Sequence, residues 1–144
     1  MELMKRFLKY LLYAAIFIAA FYLITLLFGD FRTSVRFGKD DTLTLTGPRK
    51  TSVTVPYADI DSIELIMLAD PGEKVDGGSS RSYYWGTWKN SAYGEYQLFV
   101  SKKSPAAILV RTTAGGIIIF NQDDSVTTEN TYKMFSELLV SLSS

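Results

Sequence analysis

The segment Tyr96–Phe120, YQLFVSKKSPAAILVRTTAGGIIIF, contains three short runs of apolar and β-branched residues separated by turn-forming residues. The runs are Tyr96–Val100, Ala107–Thr112 and Gly116–Phe120. Short apolar runs bounded by polar, proline or glycine residues are typical of β-strands. Ile117–Phe120 is apolar without interruption, which predicts a strand that is buried on both faces.

Four more strands are predicted upstream of this segment, because apolar and polar residues alternate there as in a half-buried strand. They are Thr33–Phe37, Thr42–Thr46, Ser52–Val55 and Ser62–Leu68. The stretch Asp70–Ser82, DPGEKVDGGSSRS, is polar, rich in glycine and without periodicity. We therefore expect a long mobile loop at Asp70–Ser82.

The hydrophobic period changes after Phe120. Apolar side chains then recur at spacings of three and four residues, which predicts one amphipathic helix. The residues of this stripe are Tyr132, Phe135, Leu138, Leu139 and Leu142. Asp123–Ser125 supplies capping groups for its N-terminus. The sequence therefore predicts a mainly β fold of about seven antiparallel strands with one C-terminal α-helix, which packs on a sheet or plugs a barrel.

An uncharged apolar run, YLLYAAIFIAAFYLITLLF, occupies Tyr10–Phe28. As a helix it would be about 28 Å long, close to the hydrocarbon thickness of a bilayer. A cleaved signal peptide is the alternative, but the run exceeds the usual apolar core of such peptides and no A-x-A site follows it. A buried globular helix would rarely be apolar all round. We expect a transmembrane anchor at residues 1–29 and one soluble domain at residues 30–144.

Cations flank the apolar run on both sides. They are Lys5, Arg6 and Lys9 before it and Arg32, Arg36 and Lys39 after it. The two sets are equal in number, but the N-terminal set lies closer to the run. The positive-inside rule therefore favours a single-pass protein of the cell membrane with its soluble domain on the extracytoplasmic side.

The composition excludes several classes of enzyme and binding protein. The chain has no cysteine and no histidine, so Ser-His-Asp, Cys-His and histidine–metal chemistry are excluded. Lys and Arg together equal Asp and Glu at 15 each, which lacks the basic excess of a general nucleic-acid binder. Asp70, Glu73 and Asp76 do not match EF-hand spacing. We predict no catalytic residue, no metal, no cofactor and no nucleic-acid partner.

One local motif carries a resemblance to a known family. Val55–Leu65, VPYADIDSIEL, is similar to the PY-x-DI-x-S-I-x-L segment of membrane-anchored bacterial pleckstrin-homology (PH) domains. Tyr96–Val100, Pro105–Val110 and Ile118–Asn121 resemble later strands of the same family. The resemblance covers residues from Phe31 to Leu142.

The resemblance implies a PH-like barrel or sandwich, in which the final helix plugs one end of two near-orthogonal antiparallel sheets. It implies no agreed activity. Phosphoinositide binding by eukaryotic PH domains depends on a basic cluster between the first two strands. Here that turn, Gly38–Asp41, is net acidic, so the lipid function is not carried over to this chain.

Aromatic residues are concentrated in residues 83–99, which contain both tryptophans of the chain. Such rings suit a recognition surface or a rim at the bilayer interface. The predicted ligand or partner surface consists of Arg81, Tyr84, Trp85, Trp88, Lys89 and Tyr93. The alternative is that alternate rings fill the core of the sheet and the others cover its edge.

Two predicted turns carry paired cations, Arg49-Lys50 and Lys102-Lys103. If the two turns share one end of the barrel, they would face anionic headgroups, and each cation would contribute about 1 kcal/mol near a charged membrane. The alternative is that they only solubilise the turns.

The leading functional hypothesis is a non-catalytic, membrane-tethered PH-like module that mediates protein assembly or recognition at the membrane. Its partner would be another protein or a second copy of the chain. The alternative is a domain that binds a lipid or small amphiphile through the aromatic segment 83–99 and the loop after Leu68. The sequence leaves the identity of the ligand or partner open.

Overall fold

A computed structural model describes residues 1–28, 32–68 and 70–143. The chain divides into two compact units, Met1–Asp30 and Phe31–Ser144. The first unit is the helix α1, Glu2–Phe28. By length and composition its Glu2–Leu27 portion could cross a membrane, and its side chains are exposed. These properties are shared by membrane anchors and N-terminal signal sequences.

The second unit is mainly β, with one helix at its C-terminus. Its elements are β1 Ser34–Phe37, β2 Thr42–Thr46, β3 Ser52–Pro56, a 3₁₀-helix Tyr57–Asp59, β4 Ile60–Met67, β5 Glu73–Ser79, β6 Tyr83–Asn90, β7 Gly94–Ser101, β8 Ala106–Thr112, β9 Ile117–Phe120 and α2 Ser125–Ser143. The strands form a three-stranded sheet in the order β1-β2-β3 and a six-stranded sheet in the order β4-β8-β9-β7-β6-β5. The predicted fold class is confirmed.

The prediction of a long loop at Asp70–Ser82 is wrong, because β5 occupies most of it and pairs with β6. β5 lies at the edge of its sheet, and Glu73–Asp76 is exposed. An exposed edge strand needs no alternation of apolar and polar residues, so periodicity could not reveal it. Together with β6 in the aromatic segment, β5 brings the described strands to nine, where about seven were predicted.

One strand pairing is parallel, where only antiparallel pairings were predicted. β9 is antiparallel to β8, to which a tight turn joins it, and parallel to β7 on its other side. β7 and β8 run in opposite directions with β9 between them. A strand in that position must therefore be parallel to one of its neighbours.

The first hydrophobic core lies between the two sheets and α2. Phe135 of α2 is fully buried, and its ring centroid lies 5.0 Å from that of Phe37, 5.8 Å from that of Tyr57 and 6.4 Å from that of Phe120. Leu43 and Leu45 of β2 belong to the same core. Phe135, Tyr132, Leu138 and Leu139 of the predicted apolar stripe thus face the core, as an amphipathic helix requires, whereas Leu142 is exposed.

A second hydrophobic core covers the opposite face of the six-stranded sheet. Its buried members are Trp88, Tyr96, Leu98, Val100, Ala107, Leu109 and Ile119. In β9, Ile118 and Phe120 face the first core whereas Ile119 faces the second. The prediction that Ile117–Phe120 is buried on both faces is confirmed for these three residues.

Candidate functional site

The aromatic side chains of β6 point alternately to the two faces of the six-stranded sheet. Trp85 lies in the first core and is only 5 % exposed, whereas Tyr84 and Trp88 belong to the second. A Cβ added to Gly47 would lie 2.9 Å from the Cβ of Trp85, and one added to Gly78 would overlap the indole ring. The structure therefore does not bring Trp85 together with Tyr84 and Trp88 on one surface.

Four rings of the second core form a row across the sheet, which we call the aromatic row. It consists of Tyr84, Trp88, Tyr96 and Tyr93. Ring centroids of Tyr84 and Trp88 are 5.0 Å apart, and those of Tyr93 and Tyr96 are 5.6 Å apart. Trp88 and Tyr96 are paired residues of β6 and β7. Edge-to-face contacts of this kind fix the rings relative to one another.

Two polar atoms of the aromatic row are tied to the backbone. The indole N–H of Trp88 donates to the carbonyl oxygen of Trp85 at 3.1 Å, and the Tyr96 hydroxyl donates to the carbonyl oxygen of Pro71 at 2.7 Å. Burial, together with the nearby Tyr93 and Asp70, raises the pKa of Tyr96 to about 12. The second bond holds the connection between β4 and β5 against the row.

An open groove of about 570 Å³, which we call the β4–β5 groove, lies beyond Tyr93. Its apolar wall is formed by Ile66, Met67, Leu68 and Tyr93, and its charged rim by Asp70, Glu73 and Lys89. Met67 is 70 % exposed. The predicted surface residues Lys89 and Tyr93 thus meet the segment after Leu68 in one place.

The turn between β6 and β7, which forms one side of this groove, has a fixed shape. The side-chain oxygen of Asn90 accepts a hydrogen bond from the backbone N–H of Tyr93 at 2.8 Å. On the opposite side, Asp70 accepts one from the N–H of Gly72 at 2.9 Å. Local side-chain-to-backbone bonds stabilise turns in this way.

Lys102 is exposed, but its side chain contacts other parts of the domain at the far end of the aromatic row. Its Nζ donates to the carbonyl oxygen of Ser80 at 2.7 Å and to Oγ of Ser79 at 3.0 Å, and it lies 4.2 Å from the ring centroid of Tyr84. These contacts join the β7–β8 turn to the β5–β6 turn. Lys103, the next residue, is exposed.

Three turns that carry cations lie at the same end of the domain. The β5–β6 and β7–β8 turns meet through Lys102, and the β2–β3 turn approaches them because Gly47 packs on Trp85 of β6. The cations of these turns, which we call the basic end, are Arg49, Lys50, Arg81, Lys102 and Lys103. The two predicted basic turns and the turn of Arg81 therefore lie at one end of the strands. Gly47 packs on the first-core side of the six-stranded sheet, whereas Lys102 lies over Tyr84 on the other side.

The β7–β8 turn is anchored by one buried amide. Asn121, 3 % exposed, accepts a hydrogen bond from the N–H of Ser101 at 2.7 Å. Its Nδ2 donates to the carbonyl oxygen of Ser101 at 3.0 Å and lies 3.3 Å from those of Ser104 and Ala106. The position of Lys102 and Lys103 thus depends on Asn121.

Residues 37–133 match a family model described as Bacterial PH domain. The chain belongs to the bacterial PH domain family. No curated protein and no solved structure matches the chain. The resemblance inferred from Val55–Leu65 is confirmed at the level of the family, whose members are generally non-catalytic modules.

Within residues 1–28, 32–68 and 70–143, no three acidic side chains are grouped so that they could hold a metal ion. The β1–β2 turn of this PH domain carries Lys39 beside Asp40 and Asp41.

Sequence reasoning did not predict the apolar wall of the β4–β5 groove. Ile66 and Leu68 pack against the second core, whereas Met67 between them points outward. Alternation along β4 predicts that neighbours face opposite sides of the sheet. It does not show that the side of Met67 is open to solvent, because that depends on what packs there.

Proposed function

We propose that this PH domain is a non-catalytic recognition module, tethered to a membrane by α1, that binds a partner protein or a second copy of the chain. The observation that carries the proposal is the β4–β5 groove. Its apolar wall is open at the surface, and Met67 exposes most of its side chain. Burial of such a side chain at an interface stabilises a complex by about 1.5–3 kcal/mol.

The shape of the groove favours a protein over a small amphiphile. Pockets for small ligands usually enclose most of the ligand surface. The β4–β5 groove is open, and Trp85, which the amphiphile hypothesis needs at the surface, lies in the first core. The rim of the β4–β5 groove carries both signs of charge, on Asp70, Glu73 and Lys89, as at the polar edge of a protein interface.

Site-specific photo-cross-linking tests the proposal in cell membranes. A benzophenone amino acid is placed at Met67 or Tyr93 of the full chain and, as the control, at Thr54, which is exposed on the outer face of the three-stranded sheet. We expect one defined protein adduct from Met67 and Tyr93 and none from Thr54. The adduct should be lost on Leu68→Asp. Equal adducts from all three positions, or none, would refute the proposal.

We also propose that the basic end contacts anionic headgroups at the membrane surface. Arg49 and Lys50 support this, since both have positive φ, at 58° and 61°. Asparagine and glycine are the preferred residues at two such consecutive positions in a hairpin turn. Two cations there cost conformational energy that a purely structural turn would avoid, and strain of this kind is characteristic of functional positions.

The topology of the protein is a separate proposal. We propose that the domain lies on the extracytoplasmic side, because the cations Lys5, Arg6 and Lys9 precede α1's apolar run closely. Protease added to intact cells should then remove the domain and leave a protected N-terminal fragment. Digestion only after the cells are opened would place the domain inside.

A further inference from the structure

A second open groove, of about 780 Å³, lies between β4, the 3₁₀-helix and the C-terminal half of α2. We call it the α2–β4 groove. Its apolar walls include Ile60 and Ile63 on one side and Leu139, Val140 and Leu142 on the other. Val140 is 66 % exposed and Leu142 48 % exposed. Exposed apolar side chains grouped along a groove mark an interaction site rather than a solvated helix face.

The charges that line this groove have one sign. Asp40, Asp41 and Asp61 belong to its lining, and the described lining residues include no lysine or arginine. Lys39 of the same turn lines a neighbouring cavity together with Arg36, and Asp40 lies between the two, since it lines both. α2 also ends here, at Leu142 and Ser143, and its last turn contains no basic residue. The partial negative charge of a helix C-terminus therefore adds to that of the carboxylates.

The acidic turn is held in place beside the groove. The backbone N–H of Tyr57 donates to the carbonyl oxygen of Asp41 at 2.9 Å, and Oγ of Thr42 donates to Oδ1 of Asp40 at 2.8 Å. Burial raises the pKa of Tyr57, and the charges of Asp41 and Asp40 raise it further. The charges of both carboxylates therefore reach Tyr57, which is only 6 % exposed and forms the floor of the groove.

We propose that the α2–β4 groove docks a segment of a partner protein in which large apolar side chains lie next to lysine or arginine residues. The apolar walls bury the hydrophobic side chains, and the cations pair with Asp40, Asp41 and Asp61. Anionic lipid is repelled by the same charges. This site is separate from the β4–β5 groove, and its failure would leave the function proposed above unaffected.

Selection from a displayed library of random linear peptides tests the proposal, with the full chain in nanodiscs of neutral lipid. A parallel selection uses the triple variant Asp40→Asn, Asp41→Asn, Asp61→Asn as the target. Asparagine keeps the acceptor for Thr42 and tolerates the positive φ of Asp41, at 56°, so the turn is retained. We expect the selected peptides to be enriched in lysine or arginine beside apolar residues.

The affinity of the selected peptides should fall about tenfold for the triple variant, since their ion pairs with the three carboxylates are lost. Val140→Ser with Leu142→Ser should weaken binding similarly without loss of thermal stability, because both side chains are already exposed. Asp70→Asn with Glu73→Gln, at the rim of the other groove, is the matched control and should leave the affinity unchanged.

Three results would overturn the proposal. One is that no peptide binder is recovered, or that the binders show no basic enrichment. Another is that they bind the triple variant as tightly as the unmodified chain. The third is that the unmodified chain dimerises and the triple variant does not, because the groove would then be occupied by a second copy.

Discussion

The ammonium group of Lys102 lies over the ring of Tyr84, 4.2 Å from its centroid. The same ammonium donates hydrogen bonds to the β5–β6 turn. One cation thus links the aromatic row to the basic end, and its neighbour Lys103 has a different position although the two are adjacent in sequence. Substituting the two lysines separately therefore distinguishes the contribution of a cation to stability from its contribution to binding.

Lys102→Met should lower the free energy of unfolding by about 1 kcal/mol, because the cation–π contact and the bonds to Ser79 and Ser80 are lost. Lys103→Met should leave it almost unchanged. Urea unfolding of the full chain in detergent, followed by tryptophan fluorescence, measures both. Equal effects of the two substitutions would show that the contacts of Lys102 contribute nothing to stability.

Replacing Arg49-Lys50 by Asn-Gly should raise stability and weaken contact with anionic lipid. Asparagine and glycine adopt positive φ more readily than arginine and lysine, so we expect a gain of about 1 kcal/mol in the free energy of unfolding. The loss of two cations removes about 1 kcal/mol each of attraction to a charged surface.

The absence of cysteine allows the lipid contact to be measured with one introduced thiol. A fluorophore on Ser52→Cys, beside the basic end, should be quenched by headgroup-labelled lipid, more strongly when anionic lipid is present and salt is low. A fluorophore on Ala58→Cys, beside Tyr57 at the other end of the domain, is the control. Quenching that is independent of anionic lipid, or unchanged by Asn-Gly, would argue against headgroup binding.

Trp85→Leu should destabilise the domain by about 3 kcal/mol, because it removes a buried indole and leaves a cavity beside Gly47 and Gly78. Tyr84→Leu, on the opposite face and only partly buried, should cost less. Thermal unfolding of the full chain compares the two variants. Little destabilisation by Trp85→Leu would contradict the position of this indole in the first core.

The stability of the domain should decrease at alkaline pH because of Tyr96. Its pKa is raised from 10.0 to about 12 in the folded domain, so its neutral form is preferred there. The stabilisation is complete below pH 10.0 and is lost as the pH rises through about 12. Tyr96→Phe should reduce this pH dependence, although it also removes the hydrogen bond to Pro71.

Unfolding midpoints of the unmodified chain and the Tyr96→Phe variant at pH 8 to 12 would measure the effect. Tyr132→Phe is the control, since Tyr132 packs against the first core, on the other side of the six-stranded sheet from Tyr96. The same slope with pH in the unmodified chain and in Tyr96→Phe would show that another group titrates.

Strands with a clear apolar pattern were predicted almost residue by residue. Thr42–Thr46 coincides with β2, and Ala107–Thr112 differs from β8 by one residue. In β2 the alternate leucines are buried, and in β8 the continuous apolar run is buried on both faces. In α2, the predicted stripe contains the buried Phe135. Local patterns of this kind encode the element and its inward face together.

The β4–β5 groove shows where such patterns fail. Its two sides are Ile66–Leu68 and Lys89–Tyr93, which are far apart in the chain. Neither segment carries a motif that predicts its contact with the other. They meet because Tyr96 holds the connection between β4 and β5. Its hydroxyl donates a hydrogen bond to Pro71, 25 positions away in sequence.

The sequence by itself determined the apolar helix, most of the strands, the C-terminal helix and the family, because each depends on short-range periodicity or on a local motif. Only the tertiary structure decided that Trp85 is buried while Tyr84 is not, and that the turns of Arg49 and Lys102 share one end. Alternation along a strand separates its two faces. Which face a second layer covers, and which turns become neighbours, depends on how the sheets pack.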